Sequence, residues 1–170
     1  ADVKAIKDAG GQEVDVVLPY RALMQGQVTE CAGFLQQVRE ASHPLTLKVI
    51  IESGVLATPE LIAQATRLAL AAGADFVKTS TGKTPVSATP EAATAMLREI
   101  ATSGSTTAGF KASGGIRSVP DAKVYLDLAA AELGPDALTA QRFRFGASGL
   151  LNDIEAVLAG QASAPSTSAY

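Results

Sequence analysis

The sequence predicts an α/β protein in which parallel strands curve into part of a barrel, and three observations carry that prediction. Strand-like apolar runs alternate with helix signals along the chain, the order that builds parallel sheets. A charged side chain recurs inside those runs, Asp15, Lys48, Lys78, Lys111 and Arg144, at spacings of 33, 30, 33 and 33 residues. Side chains alternate across a strand, so the charges share a polar face, and Leu47, Val49, Ile51, Val77, Phe110, Phe143 and Phe145 form the opposite, apolar one. A flat doubly wound sheet is covered by helices on both faces and has no place for such ions. A barrel interior accepts polar groups near its C-terminal rim.

Taken in order, a helix precedes the first strand, EVDVVLP, and VTECAGFLQQV reads as the helix after it. The second strand, LKVIIE, leads into TPELIAQATRLALAAG, where Thr58 caps, Pro59 fits the first turn, Glu60 suits the positive end of the dipole and Gly73 stops the helix. FVKTST is followed by ATPEAATAMLREIATSG, with Thr89, Pro90, Glu91 and Gly104 in the same roles. GFKASGG is followed by SVPDAKVYLDLAAAELG, capped by Ser118 or Val119 ahead of Pro120 and Asp121 and ended by Gly134. The fifth strand, FRFGAS, enters a helix at LLNDIEAV. Leu61, Ile62, Ala65, Leu68 and Ala69 make one apolar helix face, opposite Gln64 and Arg67, so the helices cover a core. Residues 1–160 read as one domain and 161–170, small and polar, as a flexible tail.

Composition excludes several classes. With 170 residues, 47% hydrophobic and 18% charged, the chain can bury a sizeable core, and its net charge of −3 argues against nucleic-acid or anionic-membrane partners. No run is long enough to span a membrane and the N-terminus lacks a signal-peptide core, so the expected location is cytoplasmic. Cys31, alone in a helix, reads as a packed thiol, and His43, alone before Pro44, as a solvated loop residue. Metal clusters and Cys-His catalysis have no residues to build on.

The strand lysines are the candidate chemistry. A desolvated lysine near a second cation favours its neutral amine, which attacks carbonyls to form a Schiff base, and Lys78 and Lys111 lie on consecutive strands. The structural alternative is a set of strand ion pairs, Asp15 with Lys48 or Lys111, and Glu52 with Lys78 or Arg144. Two glycine-rich turns, KASGGIRSVPD and FGASGLLNDIEAV, each enter a helix, which favours a phosphate site, and Lys83 in TSTGKT can add a point charge. A nucleotide P-loop is excluded, since GxxxxGK[ST] would need glycine where Val77 stands, and GxGxxG is absent.

In order and spacing, EVDVVLPYRAL, LKVIIESG, GADFVKTSTGK, GFKASGGIR and RFGASGLL resemble the motifs of deoxyribose-phosphate aldolase, a class I carbon-carbon lyase of the TIM (β/α)8-barrel fold. The resemblance spans essentially the whole chain. It implies reversible joining of acetaldehyde and glyceraldehyde 3-phosphate to 2-deoxyribose 5-phosphate, in deoxyribonucleotide catabolism, with no cofactor. It further implies Lys78 as the Schiff-base lysine, Lys111 and Asp15 as its proton-transfer partners, and Lys48 and Tyr170 as supporting residues. Phosphate is assigned to Gly82, Lys83, Gly114, Gly115, Arg117, Gly146 and Ser148. Ala112, Ser113 and Gly149 depart from the family's usual GFKPAGG and GASS strings. The chain carries about five βα units of the eight a barrel needs, with the N-terminal three expected to be missing. The implied assemblies are a homodimer or a barrel completed by another segment or chain, and the competing reading is a catalytically silent phosphosugar-binding partial barrel.

Overall fold

The computed structural model describes residues 2–164; the expectations for Tyr170 and most of the tail fall outside them. Helix α1 (Asp2–Asp8) leads to β1 (Glu13–Val17), followed by the short α2 (Tyr20–Met24) and α3 (Val28–Ser42). Then come β2 (Thr46–Ile50), a single turn α4 (Ser53–Leu56) and α5 (Pro59–Ala71); β3 (Phe76–Lys78) and α6 (Pro90–Thr102); β4 (Gly109–Ser113) and α7 (Val119–Leu133); β5 (Phe143–Gly146) and α8 (Leu150–Leu158). All strand pairs are parallel and spatial order follows chain order, β1-β2-β3-β4-β5. The sheet curls so far that Arg144 on one edge strand reaches Glu13 on the other across the concave face, at 2.8 and 2.9 Å. This is a partial barrel.

The helix starts obey their local signals. Thr58, Thr89 and Ser118 accept hydrogen bonds from the amides of Leu61, Ala92 and Asp121, and Asp121 answers by accepting from the Ser118 amide, a capping box. The helices pack on the convex side, where Leu47, Val49, Ile51, Val77 and Phe110 are buried against Ile62, Ala65, Met96, Leu97 and Ile100. Phe143 joins them and Phe145 is half-buried. Cys31 is buried in α3 as expected, and burial pushes its thiol pKa up. His43 is exposed. Among the described residues no helix is long and apolar enough to cross a membrane.

Register sets the floor of the concave face. Asp15 is level with Lys48, Phe76 and Gly109, and one layer up Lys78 is level with Ile50 and Lys111, which in turn is level with Arg144. The Arg144 guanidinium lies 4.4 Å from the Phe76 ring centroid. That ring has room only because residue 109 is glycine: a Cβ there would stand 2.5 Å from Phe76 Cε1 and 2.9 Å from the Arg142 carbonyl oxygen. Gly109→Ala is therefore expected to lower stability by about 1–3 kcal/mol, the usual cost of overpacking, read as a lower urea midpoint with an unchanged slope.

Candidate active site

The concave face gathers four cations, Lys48, Lys78, Lys111 and Arg144, around two carboxylates, Glu13 and Asp15. Lys48, only 5% exposed, is held between Glu13 Oε2 at 2.8 Å and Asp15 Oδ1 at 2.7 Å. Asp15 Oδ2 accepts from Lys78 Nζ at 2.7 Å and lies 3.7 Å from Lys111 Nζ. One carboxylate oxygen thus faces both amines.

The charges have opposite consequences for acid and amine. Burial works to raise the Asp15 pKa, but hydrogen bonds from Lys48 and Lys78 and the charges of Lys78 and Lys111 overrule it and hold the group at about 2. Glu13 is lowered too, by its bonds with Lys48 and Arg144. Lys111 is held below the usual amine range, first by burial and then by the neighbouring cations Lys78, Lys48 and Arg144, against the pull of Asp15. Burial and an excess of positive charge together favour a proton-accepting amine at Lys111.

Above this layer a cavity of about 460 Å³ opens at the C-terminal ends of β3, β4 and β5, lined by Lys78 at its base. Its wall includes Thr81, Gly82, Ser113, Gly114, Gly115, Arg117, Gly146 and Ser148. At Gly114, φ is +82° and a Cβ would stand 2.5 Å from Ser87 Oγ and 3.5 Å from Gly82 Cα, so glycine is required both by conformation and by the close approach of the two loops. Six of the seven residues expected to hold phosphate line this cavity. Lys83, exposed on the Thr81–Thr84 loop, does not.

Two expectations about ion pairs are corrected. Glu52 meets neither Lys78 nor Arg144: the backbone turns left-handed at residue 52, φ 56°, and swings its carboxyl to Thr81 and Thr84. Arg144 pairs with Glu13 instead. The Asp15 pairs named from the sequence do form, with Lys48 at 2.7 Å and Lys111 at 3.7 Å. The sequence reading passed over Glu13, although it lies two residues before Asp15 on the same strand face, which is the signal that would have found it. It also passed over Thr81, which stands between two residues it did choose.

The chain is similar in sequence and fold to known proteins. A family model described as DeoC/LacD family aldolase matches residues 1–156. A crystal structure from Coccidioides immitis, assigned as a deoxyribose-phosphate aldolase, is 30% identical with a TM-score of 0.76, over 91% of this chain and 56% of that one. A tetrameric deoxyribose phosphate aldolase from Aeropyrum pernix is 24% identical with a TM-score of 0.63, over 92% and 60%. A structure from Toxoplasma gondii with the same assignment as the first, 21% identical, gives 0.83 over 95% and 65% and shows the shared fold. The chain spans less than two thirds of the length of each of these structures. With five parallel strands in TIM-barrel order and a family match over nearly its whole length, the chain belongs to the DeoC/LacD aldolase family.

Proposed function

We propose that this chain carries the Schiff-base site of a deoxyribose-phosphate aldolase, joining acetaldehyde to glyceraldehyde 3-phosphate and cleaving the product, 2-deoxyribose 5-phosphate. The observation that carries the reading is Asp15 Oδ2, 2.7 Å from one amine and 3.7 Å from another beneath a glycine-walled cavity. Lys78 passes a proton to the neutral amine of Lys111 and attacks the carbonyl carbon of acetaldehyde; the carbinolamine oxygen then takes that proton and leaves as water, and the iminium remains. That iminium acidifies the adjacent methyl. A proton leaves it for the Asp15–Lys111 pair and the electron pair becomes the enamine. The enamine carbon attacks the acceptor aldehyde, whose oxygen takes a proton back, and water releases the product from Lys78. The acceptor's phosphate is held by Gly82, Gly114, Gly115, Arg117, Gly146 and Ser148, in the field of a concave face with more cations than carboxylates.

Acetaldehyde with sodium borohydride tests this directly. Reduction fixes an ethyl group on Lys78, blocks trypsin there, and yields a single modified peptide covering residues 68–83. An adduct scattered over surface lysines, or none, would overturn the aldolase reading and leave the phosphosugar-binding partial barrel in its place.

A further inference from the structure

Glu52 is a polar residue that the reaction above does not use. It is 1% exposed, sits just beyond β2 and adopts the left-handed conformation, φ 56° and ψ 58°, which carries a cost at a non-glycine residue. That turn delivers its carboxyl to the loop after β3. The Thr81 hydroxyl donates to Oε2 at 2.7 Å, the Thr81 amide to Oε1 at 3.2 Å, and the Thr84 hydroxyl lies 3.2 Å from Oε1. The Thr81 hydroxyl in turn accepts from the Lys83 amide at 3.1 Å. One buried acid therefore takes both donors of Thr81, competes with the Val86 carbonyl oxygen, 2.9 Å away, for the Thr84 hydroxyl proton, and through Thr81 reaches the Lys83 amide.

We propose that Glu52 is a positioning residue for anion binding: it fixes the Thr81–Thr84 loop so that Gly82 and Thr81 meet the phosphate of the substrate. The inference rests on the phosphate assignment in the proposed reaction, and it gives a role to a carboxyl that does not itself line the cavity. A negative charge behind an anion site is tolerable because it is spent on the loop's own donors. Gly82, at φ +77°, follows Thr81 on the cavity wall, and its Cα lies 3.5 Å from where a Gly114 Cβ would be. A loop released from Glu52 would disturb both glycine segments, and misplacement by about 1 Å is enough to spoil a preorganised site.

Glu52→Gln keeps the shape but removes the charge and puts an NH2 in place of one oxygen; the Thr81 and Thr84 hydroxyls can turn to accept from it, but the Thr81 amide, 3.2 Å from Oε1 and 3.4 Å from Oε2, meets a donor in either orientation. Inorganic phosphate affinity, titrated on the whole chain, is expected to fall by about tenfold, the effect of losing a charge-assisted hydrogen bond. Thr84→Val, at a position off the cavity wall, is expected to weaken phosphate by about threefold, as for an ordinary hydrogen bond. Both variants should still trap acetaldehyde at Lys78, a split that general unfolding cannot produce. If Glu52→Gln does not fold, Thr84→Val decides. Unchanged phosphate affinity in the folded variants, or its loss in step with the Lys78 adduct, overturns the inference. So does a wild-type chain that binds no phosphate. A wild-type chain whose phosphate affinity depends on Glu52 but which forms no Lys78 adduct upholds the inference and sinks the Schiff-base reading.

Discussion

Replacing Lys78 with leucine is expected to abolish adduct formation with acetaldehyde and to lower aldol turnover by roughly 10⁴-fold or more, the scale of losing a covalent nucleophile. Leucine keeps most of the apolar stem on β3 and removes only the amine. Neither remaining lysine can stand in for it. Lys48 is almost wholly buried and pinned between two carboxylates at 2.7 and 2.8 Å, so attack would require breaking both ion pairs. Lys111 is the sharper rival, because burial and three neighbouring cations hold its pKa down and favour the neutral form. Position, not exposure, separates them: the two side chains are 14% and 17% exposed, but Lys78 lines the cavity and Lys111 does not. Peptide mapping after borohydride reduction reads the result. A reduced adduct on Lys111 in the wild type would exchange the two roles, and an undiminished adduct in Lys78→Leu would remove Lys78 from the chemistry.

What the sequence made legible is what local rules govern. The Thr-Pro-Glu and Ser-Val-Pro-Asp starts at residues 58, 89 and 118 specify caps without reference to distant parts of the chain, and all three form. The period-2 pattern put Lys48, Lys78, Lys111 and Arg144 on one face, and register then brought them to one cluster with Asp15. Partner choice within that face was not legible. It depends on curvature, which brings Glu13 on the first strand against Arg144 on the last, 131 residues apart. Glu52 escaped for a related reason. Alternation along an extended strand assigns it to the lysine face, but the strand ends at Ile50 and residue 52 takes a left-handed turn that only the packed loop after β3 can sustain.

Asp15→Asn should separate the structural and chemical duties of that carboxylate. Its pKa in the folded protein, about 2, lies below the ordinary 3.8, so the native state holds the charged form more tightly than the unfolded chain does. A depressed acid contributes stability in full above its unfolded pKa and loses it as pH falls through 3.8 toward 2. For a half-buried group, discounted for solvent screening, that contribution is about 1–2 kcal/mol at neutral pH. The variant should be less stable by that amount at pH 7 and match the wild type only below pH 2, with the difference closing as pH falls through 3.8 and then 2; urea midpoints across that range measure it. A difference that stayed constant would mean that packing, not charge, is what Asp15 supplies. The chemical loss should be larger. Lys78 would keep its amine and still be trapped, but no carboxylate would stand between it and Lys111 to relay the methyl proton to the Lys111 amine. Deuterium wash-in to the acetaldehyde methyl is expected to slow by roughly 10²-fold or more, the usual contribution of a positioned acid–base group. Wild-type exchange in Asp15→Asn would move the proton relay to Lys111 and water and leave Asp15 the counter-ion of a cationic cluster.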